Sequence, residues 1–368
     1  MTEKNKEHHN KRHERRQRRA LESKTNQETK YAKSWAREWL DALLFAAVAA
    51  LVIRALFLEA FRIPTPSMEA TLLTGDFLLV SKLHYGARSP MSLGIPFTGL
   101  HLRGVELPWF RVPGFMNVRR DDILVFNYPV DEGVISQKTN YIKRAVGIAG
   151  DTVGIRNKIV YINGEPEVPK ETYEQHYEIQ VRDRLRLSQS KVRAAGGEML
   201  SASGNTYRIN MTLEVASEIS GWPEVERVEP LVLPVSFNNY SRQPFTFSQG
   251  FRSNYHHMSD LVIPFEGQTV TLSDENWHLY QDIVTRYERN QFSRAGDQFV
   301  INGDTTNEYT IQQDYYFMMG DSRDNSEDSR FWGFVPDDHV VGRAWIIYFS
   351  WNSERFLPRL RRLMNRIN

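Results

Sequence analysis

At 368 residues the chain can hold an anchor and one or two folded domains, which excludes a peptide hormone or a small stapled toxin. It contains no cysteine, so disulfides, thiolate metal sites and a cysteine nucleophile are excluded as well. The formal charge is only +1, yet residues 1–33 hold 11 Lys and Arg against 5 Glu, so the basic charge gathers at one end and the remainder is acidic.

Residues 1–35 read as a basic, disordered cytoplasmic tail, too poor in apolar side chains to bury a core. No stacking aromatics or recognition module accompany the charge, so nucleic acid is not expected as a partner. Every residue from Ala42 to Ile53 is apolar, and after Arg54 the run continues to Leu58. A transmembrane anchor is predicted over 36–60, with Trp35 and Trp39 at one interface and Arg54 reaching toward the other. A buried core helix is the alternative reading of the same run. The Lys and Arg excess ahead of the span keeps the N-terminus cytoplasmic and exports residues 62–368 on a single, uncleaved anchor.

Beyond the anchor the pattern turns to strands. Asp76–Val80, Ile123–Tyr128, Tyr141–Val146, Lys158–Ile162, Phe299–Ile301, Tyr315–Met319 and Val341–Phe349 are expected, with hairpin turns at Asn163-Gly164 and Asn302-Gly303. A mainly β catalytic domain is therefore predicted in two parts, 61–165 and 296–352. Ser89–Asn117 reads as an extended loop whose Phe97, Trp109, Phe110 and Phe115 could meet a membrane interface.

Residues 166–295 are more polar and read as an inserted α+β subdomain. It includes a helix capped by Ser273 that shows Trp277, Tyr280, Ile283, Val284 and Tyr287 on one face. Residues 353–368 carry Leu357, Leu360, Leu363, Met364 and Ile367 at helical spacing among five arginines, and predict a basic amphipathic C-terminal helix, either lipid-bound or docked.

Several chemistries have no signature here. The histidines show no zinc spacing, so no metal is implied, and the His256-His257 pair reads as surface. No phosphate loop, dinucleotide fingerprint or Gly-x-Ser-x-Gly elbow is present, and no cofactor is expected.

Three segments do carry chemical potential. Ile63-Pro64-Thr65-Pro66-Ser67-Met68 presents Ser67 on a proline-fixed turn just past the span; taken alone, it reads first as a turn or capping serine in a linker. In Tyr141–Val146, strand alternation places Tyr141, Lys143 and Ala145 on one face and Ile142, Arg144 and Val146 on the other, so one base points to the less solvated side. Burial without a carboxylate partner would lower a lysine pKa enough to make it a proton acceptor; exposed edge-strand bases are the bland alternative. Gly320–Arg330 is dense in charges and hydroxyls, and its flanks Tyr315–Met319 and Phe331–Phe334 are apolar enough to tie it to the core.

Together these segments resemble the sequence boxes of bacterial signal peptidase I, the membrane-bound Ser-Lys protease that removes signal peptides. The similarity runs through Phe61–Lys82, Arg120–Pro129, Tyr141–Asp151 and Tyr315 to about Trp351, in the family's order after an anchor. The resemblance implies Ser67 as nucleophile, Lys143 as general base, and Thr65 with the Ser67 backbone N–H as an oxyanion hole. It further implies that Ser326 orients the lysine, that Asp328 and Arg330 pair to hold the loop, and that Phe61, Ile63, Met68, Leu72, Tyr141 and Ile142 line shallow apolar subsites.

The implied substrates are signal peptides of exported pre-proteins, cut after small residues through an acyl-enzyme. The implied setting is the bacterial plasma (inner) membrane, with the catalytic domain on the periplasmic side, working as a monomer among lipid near the secretion machinery. The chain departs from the family's usual residues at Thr65, Pro66, Ala70, Ala149 and Ser322. A Ser-Lys self-cleaving protease and a membrane-tethered β-domain that binds exported chains without cutting them are the competing readings.

Overall fold

The computed structural model describes residues 35–92, 106–236, 254–296, 298–353 and 355–367. The basic tail ahead of Trp35 and the loop residue Phe97 lie outside them. The chain divides into two compact units after Arg54.

Helix α1 (Trp35–Leu56), which lies in the first unit up to Arg54, has 22 residues and so is about 33 Å long, enough to cross a hydrocarbon core of about 30 Å. None of the window Arg37–Leu56 is buried, and Leu40, Leu43, Leu44 and Phe45 are exposed. A core helix would bury one stripe of these side chains, and none of this window is buried. The span predicted to residue 60 ends at Leu56, because Leu58–Arg62 forms a strand whose backbone pairs with Phe77–Ser81.

The second unit is built on an antiparallel sheet. Its strands are β1 (Leu58–Arg62), β2 (Asp76–Ser81), β3 (Ile123–Asn127), β4 (Asn140–Gly147), β5 (Tyr315–Met319) and β6 (Val340–Asn352). They lie in the order β1-β2-β6-β3-β4-β5, with Val335–Pro336 beyond β5. Period-two alternation sends β3 side chains to opposite faces: Leu124 and Phe126 join Tyr85, Met318 and Trp332, whereas Ile123 joins Ile63, Met68, Leu72 and Ile347. All five β3 residues are buried.

The hairpin signals behave as predicted. Asn163 (φ 53) and Gly164 (φ 86) join Ile159–Ile162 to Glu165–Pro166, and Asn302 (φ 54) and Gly303 (φ 95) make the matching turn before Asp304. Two left-handed residues in succession suit the twist of a two-residue hairpin.

Residues 166–295 do not form one unit. Glu174–Val181, Glu198–Ser203, Thr206–Thr212 and Val225–Pro230 make a separate four-stranded sheet, packed by helices α2 (Gln189–Ala195) and α3 (Leu213–Ser220) around Ile179, Val192, Ile209, Met211 and Ile219. From Met258 onward the chain returns: Met258–Val262 pairs with Thr152–Arg156, and Ile263, Val270 and Leu272 pack with Phe317 and Phe334. The predicted helical face does form, on Trp277–Asp282 and a wider turn through Tyr287, but it begins four residues past Ser273. Ile283, Val284 and Tyr287 are buried, with Trp277 and Tyr280 packed beside them.

The predicted C-terminal helix is corrected. Leu357–Pro358 pairs with Trp351–Asn352, Leu360–Arg362 makes one tight turn, and Asn365–Arg366 pairs with Ile346–Ile347. The helical spacing is overridden because β6 outruns β3 and offers a free edge. Phe356 and Met364 take left-handed φ, and Pro358 cannot donate within a helix. Arg362 is drawn to the fully buried Asp76 carboxylate at 2.6 Å, while Arg359 caps the carbonyls of Thr74 and Trp351.

Candidate active site

Pro64 and Pro66 restrict the backbone between β1 and β2, and Pro66–Met68 closes a single 3-10 turn. Thr65 precedes it in an extended conformation (φ −126, ψ 154) with its side chain uninvolved in capping. Met68 and Leu72 are fully buried among Ile63, Leu78 and Ile347, so the turn is pinned by its apolar side chains. Ser67 sits on this turn at 7% exposure. Ala70 follows at φ 68, an angle proline cannot adopt, so the backbone itself excludes a proline ring at this position.

Strand β4 carries the two bases, and both are buried. Lys143 stands opposite Leu124 and shares its face with Tyr141 and Ala145; its Nζ shares a hydrogen bond with Ser67 Oγ. Burial pushes the Lys143 ammonium down to about 8, and the Asp328 charge, the largest opposing influence, only partly offsets it. No salt bridge neutralises Lys143 among the described residues, whereas Arg144 makes a bidentate pair with Asp321 at 2.8 and 2.7 Å. Adjacent bases therefore have opposite fates: the arginine is held as a fixed cation and the lysine is left able to lose its proton.

The loop Gly320–Arg330 closes the site. Ser322 N–H donates to the Ser67 carbonyl at 3.1 Å, which ties the loop to the serine turn. Asp328 and Arg330 form a second buried bidentate pair, Nε and a terminal nitrogen each 2.8 Å from a carboxylate oxygen, and Asp328 also accepts the Gly320 N–H. Burial pushes the Asp328 carboxyl up, but Arg330 and the Gly320 N–H outweigh it and hold it below the usual carboxylate range. Ser326 is buried near Gly320, where its hydroxyl helps to lower the Asp328 carboxyl, and no hydrogen bond joins its Oγ to Lys143 among the described residues.

Gly320 is required by close approach. A Cβ there would lie 2.3 Å from Ser326 Oγ and 2.5 Å from the Ser67 carbonyl. Gly320→Ala is therefore expected to cost about 1–3 kcal/mol of stability through overpacking, and at least tenfold in kcat/KM, because the Ser67 turn must shift. Thermal denaturation alongside steady-state peptide cleavage checks both; wild-type values for both would discard the close-packing account.

The six residues expected at the substrate subsites divide. Ile63, Met68 and Leu72 are core residues of one cluster, against which Ile142 packs. Phe61 and Ile142 flank a second cluster with Val80 and Val125, and Tyr141 stacks on Tyr128 at 4.5 Å beside Trp332. Phe61, Tyr141 and Ile142 remain partly exposed.

Comparison with known proteins identifies the chain's family. The family described as signal peptidase, peptidase S26, matches residues 36–207 and 261–351. The chain belongs to that family. It is 26% identical to signal peptidase I of Pseudomonas aeruginosa over 326 residues, covering 85% of this chain and 73% of the relative. It is 26% identical to signal peptidase I of Aquifex aeolicus over 321 residues (84% and 83%), and 27% identical to that of Helicobacter pylori over 308 residues (82% and 79%). This peptidase thus carries an apolar helix long enough to anchor it in a membrane, joined to a β-rich domain.

Apart from the Asp328–Arg330 pair, the buried charge pairs around the site are not visible in the sequence. The Arg144–Asp321 pair, joined by Thr71 Oγ1 at 2.5 Å, lies on residues 177 positions apart. His256, expected at the surface, is buried: its Nδ1 accepts the Leu233 N–H at 2.9 Å and its Nε2–H donates to Asp324 at 2.8 Å. Asp324 also takes Lys158 at 2.6 Å and the His176 N–H at 2.7 Å. Only the alternation of charge and small residues in 320–330 hinted at such partners.

Proposed function

We propose that this peptidase is a signal peptidase I that cuts N-terminal signal peptides from exported pre-proteins with a Ser67–Lys143 dyad. The observation that carries the proposal is a buried lysine, unpaired with any carboxylate among the described residues, in hydrogen-bond contact with a buried serine. In its neutral form Lys143 Nζ accepts the Ser67 proton as Oγ attacks the scissile carbonyl. The resulting ammonium returns that proton to the leaving amine, and the same lysine then activates the water that hydrolyses the acyl-enzyme. The Ser67 N–H and the uncommitted Thr65 hydroxyl are the oxyanion donors of this scheme. Ser326, Asp328 and Arg330 keep the loop packed against the dyad.

The substrate enters as a strand. β5 pairs with Arg144–Gly147 and leaves the same edge of Asn140–Lys143 open, while β1 is a sheet edge. An extended peptide between these edges would bring its small residues against Phe61, Tyr141 and Ile142. The basic tail and α1 orient the chain with its N-terminus cytoplasmic and the catalytic domain outside, as a single-pass protein of the plasma membrane.

Cleavage of a purified pre-protein by the full chain in detergent, after a small residue, tests the substrate assignment; a soluble peptide library cut without regard to small residues would refute it. The base also sets the pH profile. Lys143 acts only when neutral, so log kcat/KM is expected to rise with a slope near one as pH increases toward about 8 and to level above it. A profile flat from pH 6 to 9 would remove Lys143 as the base.

A further inference from the structure

A cleft of about 600 Å³ opens beside the serine turn, and no step of the cleavage chemistry uses it. Pro66, the residue next to Ser67, lines one side together with Glu69 and Ser322. The other side comes from the separate four-stranded sheet and its helix α2, through Arg193, Glu198 and Asn210. Glu174 lies at the junction, where its backbone bridges to Asp321 and Arg323 of the catalytic loop. The subdomain therefore touches the loop that grips Ser67 and walls a passage leading away from it.

The lining is polar and incompletely satisfied. Asn210 is buried and gives its amide N–H to Glu174 at 2.8 Å, but its Oδ1 has no partner among the described residues. Burial raises the Glu174 carboxyl to about 7 and pushes the Glu69 carboxyl up for the same reason, so this wall offers carboxyl groups beside the Asn210 amide to a polar ligand.

The subdomain's two sheet edges differ. Val225–Pro230 carries alternating charges and ends in proline, the usual protection against unwanted pairing. Glu198–Ser203, at the opposite edge, reads EMLSAS: no proline, no lysine, four of its last five residues exposed, and its first residue in the cleft. Its hydrogen-bonding groups on the side away from Thr206–Thr212 lack a strand partner among the described residues. A protein that guards one edge and leaves bare the one leading from its nucleophile has a strand acceptor at that place.

We propose that this cleft binds the mature side of the substrate: the polypeptide just after the scissile bond runs extended past Pro66 and adds a strand to the free edge Glu198–Ser203. The inference rests on the signal peptidase reading above and extends it to the part of the substrate that is released. At about 3.3 Å per residue, a segment of roughly six residues matches the edge, and the cleft before it takes a few more. Main-chain pairing makes the interaction tolerant of mature sequence, while the Glu69, Glu174 and Arg193 side chains favour polar residues.

Two substrates with one signal peptide, followed by either two or twelve mature residues, test this with the full-length protein in detergent. The wild type is expected to favour the longer substrate by about tenfold in kcat/KM, mainly through KM, and separate Leu200→Pro and Ser201→Pro variants to shrink that ratio in at least one case. Equal use of both substrates by the wild type would overturn the cleft assignment while leaving the peptidase reading intact. Failure to cut either would overturn both.

A second measurement avoids any change in the edge. A photoreactive residue placed six positions after the cut, on a pre-protein bound to the Ser67→Ala variant, is expected to crosslink within 193–203. Crosslinks confined to other parts of the chain would overturn the proposal.

Discussion

Lys143→Arg is expected to lower kcat/KM by about 10³- to 10⁴-fold, the upper range for a positioned general base, even though the charge is kept. A guanidinium stays protonated throughout the accessible pH range and cannot take the Ser67 proton. Lys143→Met should lose as much, because the apolar site needs the amine lone pair rather than the side-chain volume. Its stability is expected to be unchanged or higher, since burial disfavours the ammonium that methionine replaces and no carboxylate pairs with it among the described residues. Ser67→Ala should match these losses without adding to Lys143→Met in the double variant, as expected for two groups that act as a unit. Pre-protein cleavage followed with all four variants checks the set, and activity within tenfold of wild type in Lys143→Arg would end the dyad proposal.

Arg330→Met is expected to be the most damaging change away from the reacting atoms. The Asp328 side chain has 0% exposure and is held by Arg330 and the Gly320 N–H. Removing the guanidinium leaves a buried carboxylate half-solvated by the protein, a loss of about 3–5 kcal/mol when one member of a buried pair is deleted. The carboxyl must then take up a proton or draw in water, and either disturbs Gly320, which packs on the Ser67 carbonyl. Activity should fall together with stability. Pairing Arg330→Met with Asp328→Leu should recover part of the stability, because no charge is then stranded. Urea unfolding of the single and double variants measures this, and a single-variant cost under about 1 kcal/mol would show that the pair does not hold the loop.

The strands, the Asn-Gly hairpins and the anchor were readable because each is written in local pattern: period-two alternation, left-handed turn residues, an unbroken apolar run. The serine and lysine were readable only as a pair of candidates. Neither segment alone separates a catalytic group from a turn serine or an edge-strand base, and it was the ordered family boxes that favoured chemistry. Three readings failed for one shared reason. The C-terminal helix, the surface placement of His256 and the single 166–295 insert were all inferred from local composition. In each case a distant group overrode it: the buried Asp76 carboxylate that captures Arg362, the Asp324 carboxylate that captures His256, and the Thr152–Arg156 strand that recruits Met258–Val262.

By itself, then, the sequence determined a β-rich chain behind an apolar run long enough for an anchor, with Ser67 just past that run and Lys143 on a strand, because hydrophobic period and charge placement act over a few residues. Only the tertiary structure decided that Lys143, and not Arg144, is the uncompensated base. That depends on Asp321 reaching Arg144 from 177 positions away while no carboxylate pairs with Lys143 among the described residues, and the desolvation that lowers a pKa is a property of the assembled surroundings.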